Sequence, residues 1–194
     1  MKRHLIGMIL ALSSVVFVTG CVPAIIAGTA TGASVAIDRR STGAVVDDQT
    51  IELKAMQLLS KQSFFDQSHV TITSYNGRVL LVGQVPNTTD AQKLVHAISK
   101  VPKAKQAFNE LEIGSPISLS TRSNDTVITG KVKSQLLTLK GFDSHAVKVI
   151  TENSIVYLMG IVTYDEAHKA TEEARKVNGV RKVVRVFEYI NKKP

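Results

Sequence analysis

The sequence predicts an α+β protein that contains two tandem αββαβ units, each a three-stranded mixed sheet with two helices on one face. The sequence contains an internal duplication: residues 76–83 align with residues 153–160 at a spacing of 77. Within each copy the hydrophobic period changes in the same order, from a helical face to an alternating strand and then to a buried strand. The main prediction is therefore a duplicated unit with one order of elements.

Residues 1–20 are interpreted as a lipoprotein signal peptide. A positively charged start precedes an apolar run of 14 residues at 5–18, which is shorter than the roughly 20 residues that span a bilayer. The small residues Thr19 and Gly20 then precede Cys21, the only cysteine in the chain. This arrangement resembles a bacterial lipobox, in which a diacylglyceryl group is attached to the cysteine thiol.

Lipidation of Cys21 is the expected means of anchoring. A free thiol at the mature start of an exported protein would be reactive, whereas acylation consumes it. We expect covalent diacylglyceryl and N-acyl groups on Cys21 and no other cofactor. In the lipoproteins that this start resembles, Asp after the cysteine signals inner-membrane retention, and Val22 stands there instead. The expected location is the periplasmic face of the outer membrane, and the alternatives are an ordinary secretory signal or an uncleaved anchor.

The mature chain is expected to be basic and free of disulfides. Loss of Lys2 and Arg3 with the signal lowers the formal net charge from +8 to +6. Residues 21–46, which are rich in Ala and Gly, are expected to form a lipidated flexible tether. Because no cysteine pair remains, stability must come from buried apolar surface.

The first unit is predicted at residues 47–114. Val70 and Ile72 alternate with polar residues, Asn76-Gly77 predicts a tight hairpin turn, and residues 79–82 are typical of a buried strand. The predicted helical faces consist of Ile51, Ala55, Leu58 and Leu59, followed by Ala91, Leu94, Val95 and Ile98. The last strand is predicted at residues 104–113.

The second unit is predicted at residues 124–191, after a linker at 115–123. Thr163 and Glu166 have the spacing of a capping box at the start of its second helix. Gly179 is well placed to end that helix. The helix has a face of small residues that can approach a sheet closely, formed by Ala167, Ala170, Ala174 and Val177.

These motifs, taken as an ordered set, resemble the BON domain. A glycine closes the second strand of each unit, and Val177-Asn178-Gly179-Val180 turns into the third strand of the second unit. The first unit differs there, with Pro102-Lys103-Ala104. The lipobox, tether and two units together are similar to the dual-BON outer-membrane lipoproteins, over essentially the full length. That resemblance implies phospholipid association and maintenance of outer-membrane integrity, with no known catalytic residues.

The second unit is the more cationic one. Residues 48–113 have seven Lys or Arg against six Asp or Glu, and residues 124–194 have twelve against eight. We therefore expect the second unit to bind anions. Part of its charge clusters around the end of its second helix, at Arg175, Lys176, Arg181, Lys182 and Arg185. This cluster is interpreted as either an ordinary solvated surface or a binding site.

The first helix of the second unit carries the predicted phospholipid-binding site. At about 100° per residue, Ile128, Val132 and Leu136 define its core side. Apolar side chains and lysines together suit the headgroup region of a membrane. The five predicted site residues, which face away from the core or lie on the flank, are Val127, Gly130, Lys131, Lys133 and Leu137.

A packing role is the alternative for this helix face. The corresponding outer positions of the first unit include Leu53 and Met56. Both helices could therefore use these faces for contacts between the units or in a homo-oligomer.

Other functional classes find little support in the sequence. An export signal separates the chain from nucleic acid, and no basic stripe with stacking aromatics is present. The histidines lack metal-ligand spacing, and no nucleophile motif occurs, so we expect neither a catalytic nor a metal site.

Two functional hypotheses remain. The first is a non-enzymatic lipoprotein whose partner is membrane phospholipid, anionic such as phosphatidylglycerol, bound through the second unit. The alternative is a protein-interaction scaffold that docks on envelope assembly or cell-wall machinery, with the lipid serving only as anchor.

Overall fold

The computed structural model describes residues 38–191, which belong to one compact unit. The expected signal peptide, Cys21 and most of the expected tether lie outside these residues. The helices are α1 (Thr42–Ser60), α2 (Thr88–Ser99), α3 (Leu119–Leu137) and α4 (Tyr164–Arg175). The strands are β1 (His69–Tyr75), β2 (Arg78–Val85), β3 (Gln106–Ile113), β4 (Val147–Glu152), β5 (Ile155–Val162) and β6 (Lys182–Tyr189). Short 3-10 turns at Phe65–Gln67 and Ser144–Ala146 precede β1 and β4.

Each copy of the repeat forms its own three-stranded mixed sheet. In the first copy the strand order is β1-β2-β3, with an antiparallel pair followed by a parallel pair. The second copy repeats this order and these directions with β4-β5-β6. The predicted fold class is therefore confirmed.

Serine caps set the start of the first helix in each copy. The side chain of Ser41 accepts a hydrogen bond from the amide of Ala44, and Ser118 accepts one from Thr121, both at 3.1 Å. Such bonds satisfy amides that have no partner inside the helix. Each helix consequently begins five residues before its expected domain start, at Thr42 rather than 47 and at Leu119 rather than 124.

The second helix of each copy is capped in a related way. Asn87 accepts a hydrogen bond from the amide of Asp90 at 2.9 Å. In the second copy, Thr163 and Glu166 form the predicted capping box. Gly179 follows α4 with φ of +100°, and thus has the left-handed conformation that a glycine tolerates after a helix.

A buried aspartate on the first helix of each copy accepts hydrogen bonds from the hairpin turn of that copy. The two turn residues have positive φ, at Asn76-Gly77 in one copy and at Asn153-Ser154 in the other. Asp48 accepts hydrogen bonds from the amides of Asn76 and Gly77 at 2.7 and 2.8 Å. Asp125, at the same position of the second copy, accepts bonds from the amides of Asn153 and Ser154, both at 2.8 Å. Each aspartate thereby joins a helix to the strand turn that the repeat places beside it.

Two cores lie between the helices and the sheets. The first contains Ile51, Ala55, Leu59, Val79, Leu81 and Leu94, among others. The second contains the corresponding Ile128, Val132, Leu136, Val156, Leu158 and Ala170. The predicted helical faces are therefore the buried ones.

A third core joins the two copies. It consists of the opposite faces of the two sheets, with Tyr75, Leu80, Val82, Tyr157, Met159, Ile161 and Val186 buried together. The central strands alternate between the two environments, since Leu80 lies in the shared core and Leu81 faces the helices. The sheets thus pack face to face with helices on their outer sides. Helices on one face of each sheet are as the sequence predicts, whereas the contact between the two other faces was not predicted from it.

Reciprocal polar contacts border the shared core. Asn76 Nδ2 donates to Glu188 Oε2 at 2.7 Å, and Asn153 Nδ2 donates to Glu112 Oε2 at 3.0 Å. The two asparagines occupy equivalent hairpin positions, so the contact occurs twice with the roles of the copies exchanged. The interface therefore has the form of an isologous, two-fold contact within one chain.

Candidate lipid-binding surface

Helix α3 presents one face to the core of the second copy and the other to solvent. Ile128, Val132 and Leu136 are buried, as the helical periodicity predicts. Val127 and Leu137 are 53% and 64% exposed. The structure places all five predicted site residues on the exposed side, namely Val127, Gly130, Lys131, Lys133 and Leu137. We call this set the α3 outer face.

The two lysines of the α3 outer face are available to an external anion. Within residues 38–191, neither Lys131 nor Lys133 makes a hydrogen bond or an ion pair. A shallow groove of about 570 Å³ runs along the helix, where Val127, Gly130 and Lys131 lie beside Val177. Apolar and cationic groups thus share one accessible surface.

A cleft between the two copies adjoins the α3 outer face. It has a volume of about 380 Å³, and Lys133 and Leu137 form part of its wall. The first copy contributes Tyr75, and the chain segment in front of α1 contributes Arg40. Lys148, also in the cleft wall, reaches Glu52 of the first copy at 3.3 Å. The α3 outer face therefore continues into a depression with more cationic groups around it.

The chain joins the folded region beside this cleft. Arg39 forms a bidentate ion pair with Glu166 of the second copy, with N–O distances of 2.6 and 2.8 Å. It also donates a hydrogen bond to the carbonyl of Ile161. Arg40 turns to the first copy, where it donates to Asp48 at 2.9 Å and its guanidinium lies 4.1 Å from the ring centre of Tyr75. Two successive arginines therefore fix the start of the folded region to both copies.

These contacts shift the pKa values of the acids involved. The hydrogen bond from Arg39 lowers the pKa of Glu166 to about 2, and the amide of Thr163 adds to this effect against the opposing effect of burial. Burial works to raise the pKa of Asp48. Hydrogen bonds from Ser74, Gly77, Asn76 and Arg40 outweigh that effect and hold this pKa below its ordinary value. Both acids therefore stay ionised and keep the arginines in place at neutral pH.

The first copy offers a related but less cationic face. Its α1 exposes Leu53 and Met56, at 68% and 45%. The strand pairing and the repeat spacing place Met56 where the second copy has Lys133, and Ser60 where it has Leu137. The outer faces of both helices are separate from the shared core, because the contact between the copies is made by the sheets. The packing of the two copies therefore leaves these faces uncovered.

No metal-binding cluster of His, Cys, Asp or Glu occurs among residues 38–191. His96, His145 and His168 are exposed, and His69 is partly exposed near the buried Glu152, with 3.7 Å between Nε2 and Oε2. Within the same part of the chain, no helix is long and apolar enough to cross a membrane.

Both copies match one known domain family. The BON domain matches residues 47–115 and again residues 124–191. These ranges cover the two αββαβ copies, so the chain belongs to the BON-domain family. The class of protein is thus one with two BON domains in tandem.

A relative that matches nearly the whole chain narrows the class to a lipoprotein. The outer membrane lipoprotein DolP of Haemophilus influenzae is 40% identical over 93% of this chain and 94% of its own length. The 21 kDa hemolysin of Actinobacillus pleuropneumoniae is 35% identical over 79% of this chain and 80% of its own. The chain is an outer-membrane lipoprotein of the dual-BON, DolP type. Neither name describes an enzyme.

A similarity to a solved structure is weak. CdsD, a structural protein of the type III secretion system of Chlamydia trachomatis, has 12% sequence identity and a TM-score of 0.31, over 75% of this chain and 92% of that one.

Neither the shared core nor the contacts of Arg39 and Arg40 were predicted from the sequence. The sequence does contain a signal for the shared core. Residues 79–82 and 155–162 are almost continuously apolar, so both faces of each strand carry apolar side chains, which is typical of strands buried on both faces. The roles of Arg39 and Arg40 depend on contacts with residues distant in sequence, and no local pattern gives them.

Proposed function

We propose that this chain is a non-enzymatic lipoprotein of the periplasmic face of the outer membrane, that it binds anionic phospholipid through the α3 outer face, and that it supports outer-membrane integrity. Acyl groups on Cys21 would supply the permanent anchor. The second copy would add a weak, reversible contact with the same membrane.

The observation that carries the proposal is the composition and position of the α3 outer face. Exposed Val127 and Leu137 share one surface with two lysines that lack partners in the described part of the chain. The surface also lies beside Arg40, where the chain joins the folded region. Anchor and contact surface are therefore expected to meet the membrane together.

The energies suit a reversible contact. A lysine close to an anionic membrane surface contributes about 1 kcal/mol, and burial of a leucine side chain contributes about 1.5–3 kcal/mol when it is complete. These contributions would give little binding from dilute solution. Tethering raises the local concentration of the lipid-binding face, so that weak attraction is enough for frequent contact.

The test uses vesicles and a soluble form of the protein that begins at residue 38. We expect this form to bind phosphatidylglycerol vesicles in a cosedimentation assay, more weakly at high salt, and phosphatidylcholine vesicles much less. Lys131→Glu combined with Lys133→Glu should lower the affinity about tenfold or more, because two attractions become repulsions. Separately, Leu137→Asp should weaken binding by removing an inserting side chain.

Matched controls lie on the first copy. Leu53→Asp and the pair Lys54→Glu with Lys61→Glu change the same residue types on the first copy. Leu53 and Lys54 lie on α1 and Lys61 directly follows it, and all three side chains are exposed. They should leave vesicle binding close to that of the parent. If the α3 variants bind like the parent, this helix is the wrong surface. If the parent itself binds no phosphatidylglycerol, the scaffold function replaces the lipid-binding one.

A further inference from the structure

A second cationic surface of the molecule is separate from the α3 outer face. It is a groove between the end of α4 and strand β6, where two adjoining hollows of about 220 and 340 Å³ share Arg175 and Val183. We call it the α4–β6 groove. Its exposed cations are Arg175, Arg181, Lys182 and Arg185. Half-buried Val180 and Val183 lie among these cations in the lining.

Most of this charge is not used for internal contacts. Lys182 and Arg185 make no hydrogen bond or ion pair with any residue of 38–191. Arg181 donates to the backbone carbonyl of Asn153, which leaves its charge uncompensated. Arg175 contacts Glu172 at 3.1 Å, and this exposed pair is of the kind that adds little stability. The groove therefore has four cations and one acid.

The first copy shows whether the fold itself requires the cations of the groove, because it has the same elements at corresponding positions. The strand registers align Lys182 with Gln106 and Arg185 with Asn109. The ends of α2 and α4 align Ser99 with Arg175. The first copy thus builds the same helix and the same edge strand with neutral residues at three of these positions. The fold does not need the cations, although basic side chains can also protect an edge strand from pairing.

We propose that the α4–β6 groove binds an extended acidic segment of a partner protein. Three of its four cations are arginines, whose planar guanidinium groups can bind a carboxylate with two parallel hydrogen bonds. The cations line a concave groove together with Val180 and Val183. This concave shape suits a peptide chain lying in the groove better than it suits a flat bilayer surface. The proposal goes beyond the lipid-binding function, because it uses a different surface and a different partner.

The experiment uses the full-length chain in a neutral detergent and a fluorescein-labelled peptide of alternating Glu and Val residues. Fluorescence anisotropy should detect salt-sensitive binding. The triple variant R175S/K182Q/R185N gives the second copy the residues that the first copy has at the same positions, so its fold should be retained. We expect its affinity for the peptide to fall about tenfold or more, as expected for the loss of three charge-assisted contacts.

A control variant removes the same net charge from elsewhere. K54Q/K61Q/K93Q alters three exposed lysines of the first copy and should bind the peptide like the parent. Phosphatidylglycerol vesicles form a second arm, in which the groove variant should bind like the parent if lipid contacts α3. The proposal is overturned if the parent does not bind the peptide, if the groove variant keeps parental affinity, or if both triple variants lose affinity equally. Loss of vesicle binding by the groove variant, with peptide binding retained, would assign the groove to lipid instead.

Discussion

Two glycines at equivalent positions of the central strands show how closely backbones approach in each copy. A Cβ added to Gly83 would lie 1.9 Å from the carbonyl oxygen of His69, and one added to Gly160 would lie 2.2 Å from that of Ala146. The neighbouring atom is backbone in both cases, so a side-chain rotation cannot relieve the clash. Gly83 also has φ of +119°, which other residues rarely adopt.

We expect Gly83→Ala and Gly160→Ala each to lower the free energy of unfolding by about 3 kcal/mol or more, because the new methyl group must displace the facing backbone. Urea unfolding followed by circular dichroism measures the change. Gly130→Ala is the matched control, since its Cβ would meet no atom within 4 Å. That change should raise stability by about 0.5–1 kcal/mol, as usual for an exposed helical glycine. Equal effects at all three sites would contradict this reading of the backbone approach.

Asp48 and Asp125 illustrate what a repeat can and cannot reveal at the level of single residues. Their spacing marks them as equivalent in the sequence. Their burial and their hydrogen bonds to the hairpin amides become visible only in three dimensions. A buried carboxylate requires such donors, and they come here from a turn 28 or 29 residues further along the chain.

At the scale of elements, the start of α4 combines a local cap with a distant ion pair. Glu166 accepts a hydrogen bond from the amide of Thr163 at 2.8 Å and simultaneously binds Arg39. The pKa of Glu166, lowered to about 2, lies below that of a glutamate in the unfolded chain. The stability that this group contributes is therefore present at neutral pH and is lost as the pH falls from about 5 towards 2.

Glu166→Gln should thus lower the free energy of unfolding by about 1–2 kcal/mol at neutral pH, a value reduced for the partial exposure of the pair. The difference from the parent should shrink as the pH is lowered, because the parent then loses the same charge. Urea unfolding at a series of pH values tests both statements. Glu172→Gln, which breaks an exposed pair with Arg175, should change stability by less than about 0.5 kcal/mol. A constant difference between Glu166→Gln and the parent at every pH would refute the assignment.

The elements themselves could be predicted from sequence because their signals are local. Helix faces follow from the spacing of Ile128, Val132 and Leu136, and the hairpins follow from Asn76-Gly77 and its counterpart. Helix starts were harder to predict, because Ser41 and Ser118 precede the apolar stripes. For the α3 outer face, the sequence predicted which side chains are exposed but could not show the cleft beside it, since that cleft requires both copies.

At the scale of the whole molecule, the shared core makes the two copies depend on each other. Tyr157 and Met159 are 2% and 0% exposed only because the sheet of the first copy covers them. Separation of the copies would uncover a contiguous apolar face on each sheet. Large exposed patches of this kind drive association.

We therefore expect the second copy alone, beginning at residue 115, to self-associate and to bind a hydrophobic dye such as ANS. Sedimentation velocity and dye fluorescence measure these properties against the intact protein from residue 38, which should be monomeric and dye-free. Met159→Lys within the isolated copy should reduce both effects, because it introduces a charge at the centre of the uncovered sheet. If the isolated copy is monomeric and binds no dye, its stability does not depend on the contact with the sheet of the first copy.

The reciprocal asparagine–glutamate bonds have a consequence for how the molecule holds together. A symmetric contact of this form would, between separate chains, dissociate on dilution. Covalent linkage through residues 114–118 makes it unimolecular and fixes one first copy to each second copy. The outward surfaces of the two copies can then differ without weakening this contact. Arg175 and Arg185 of the α4–β6 groove are an example, because the first copy has neutral residues at the same positions.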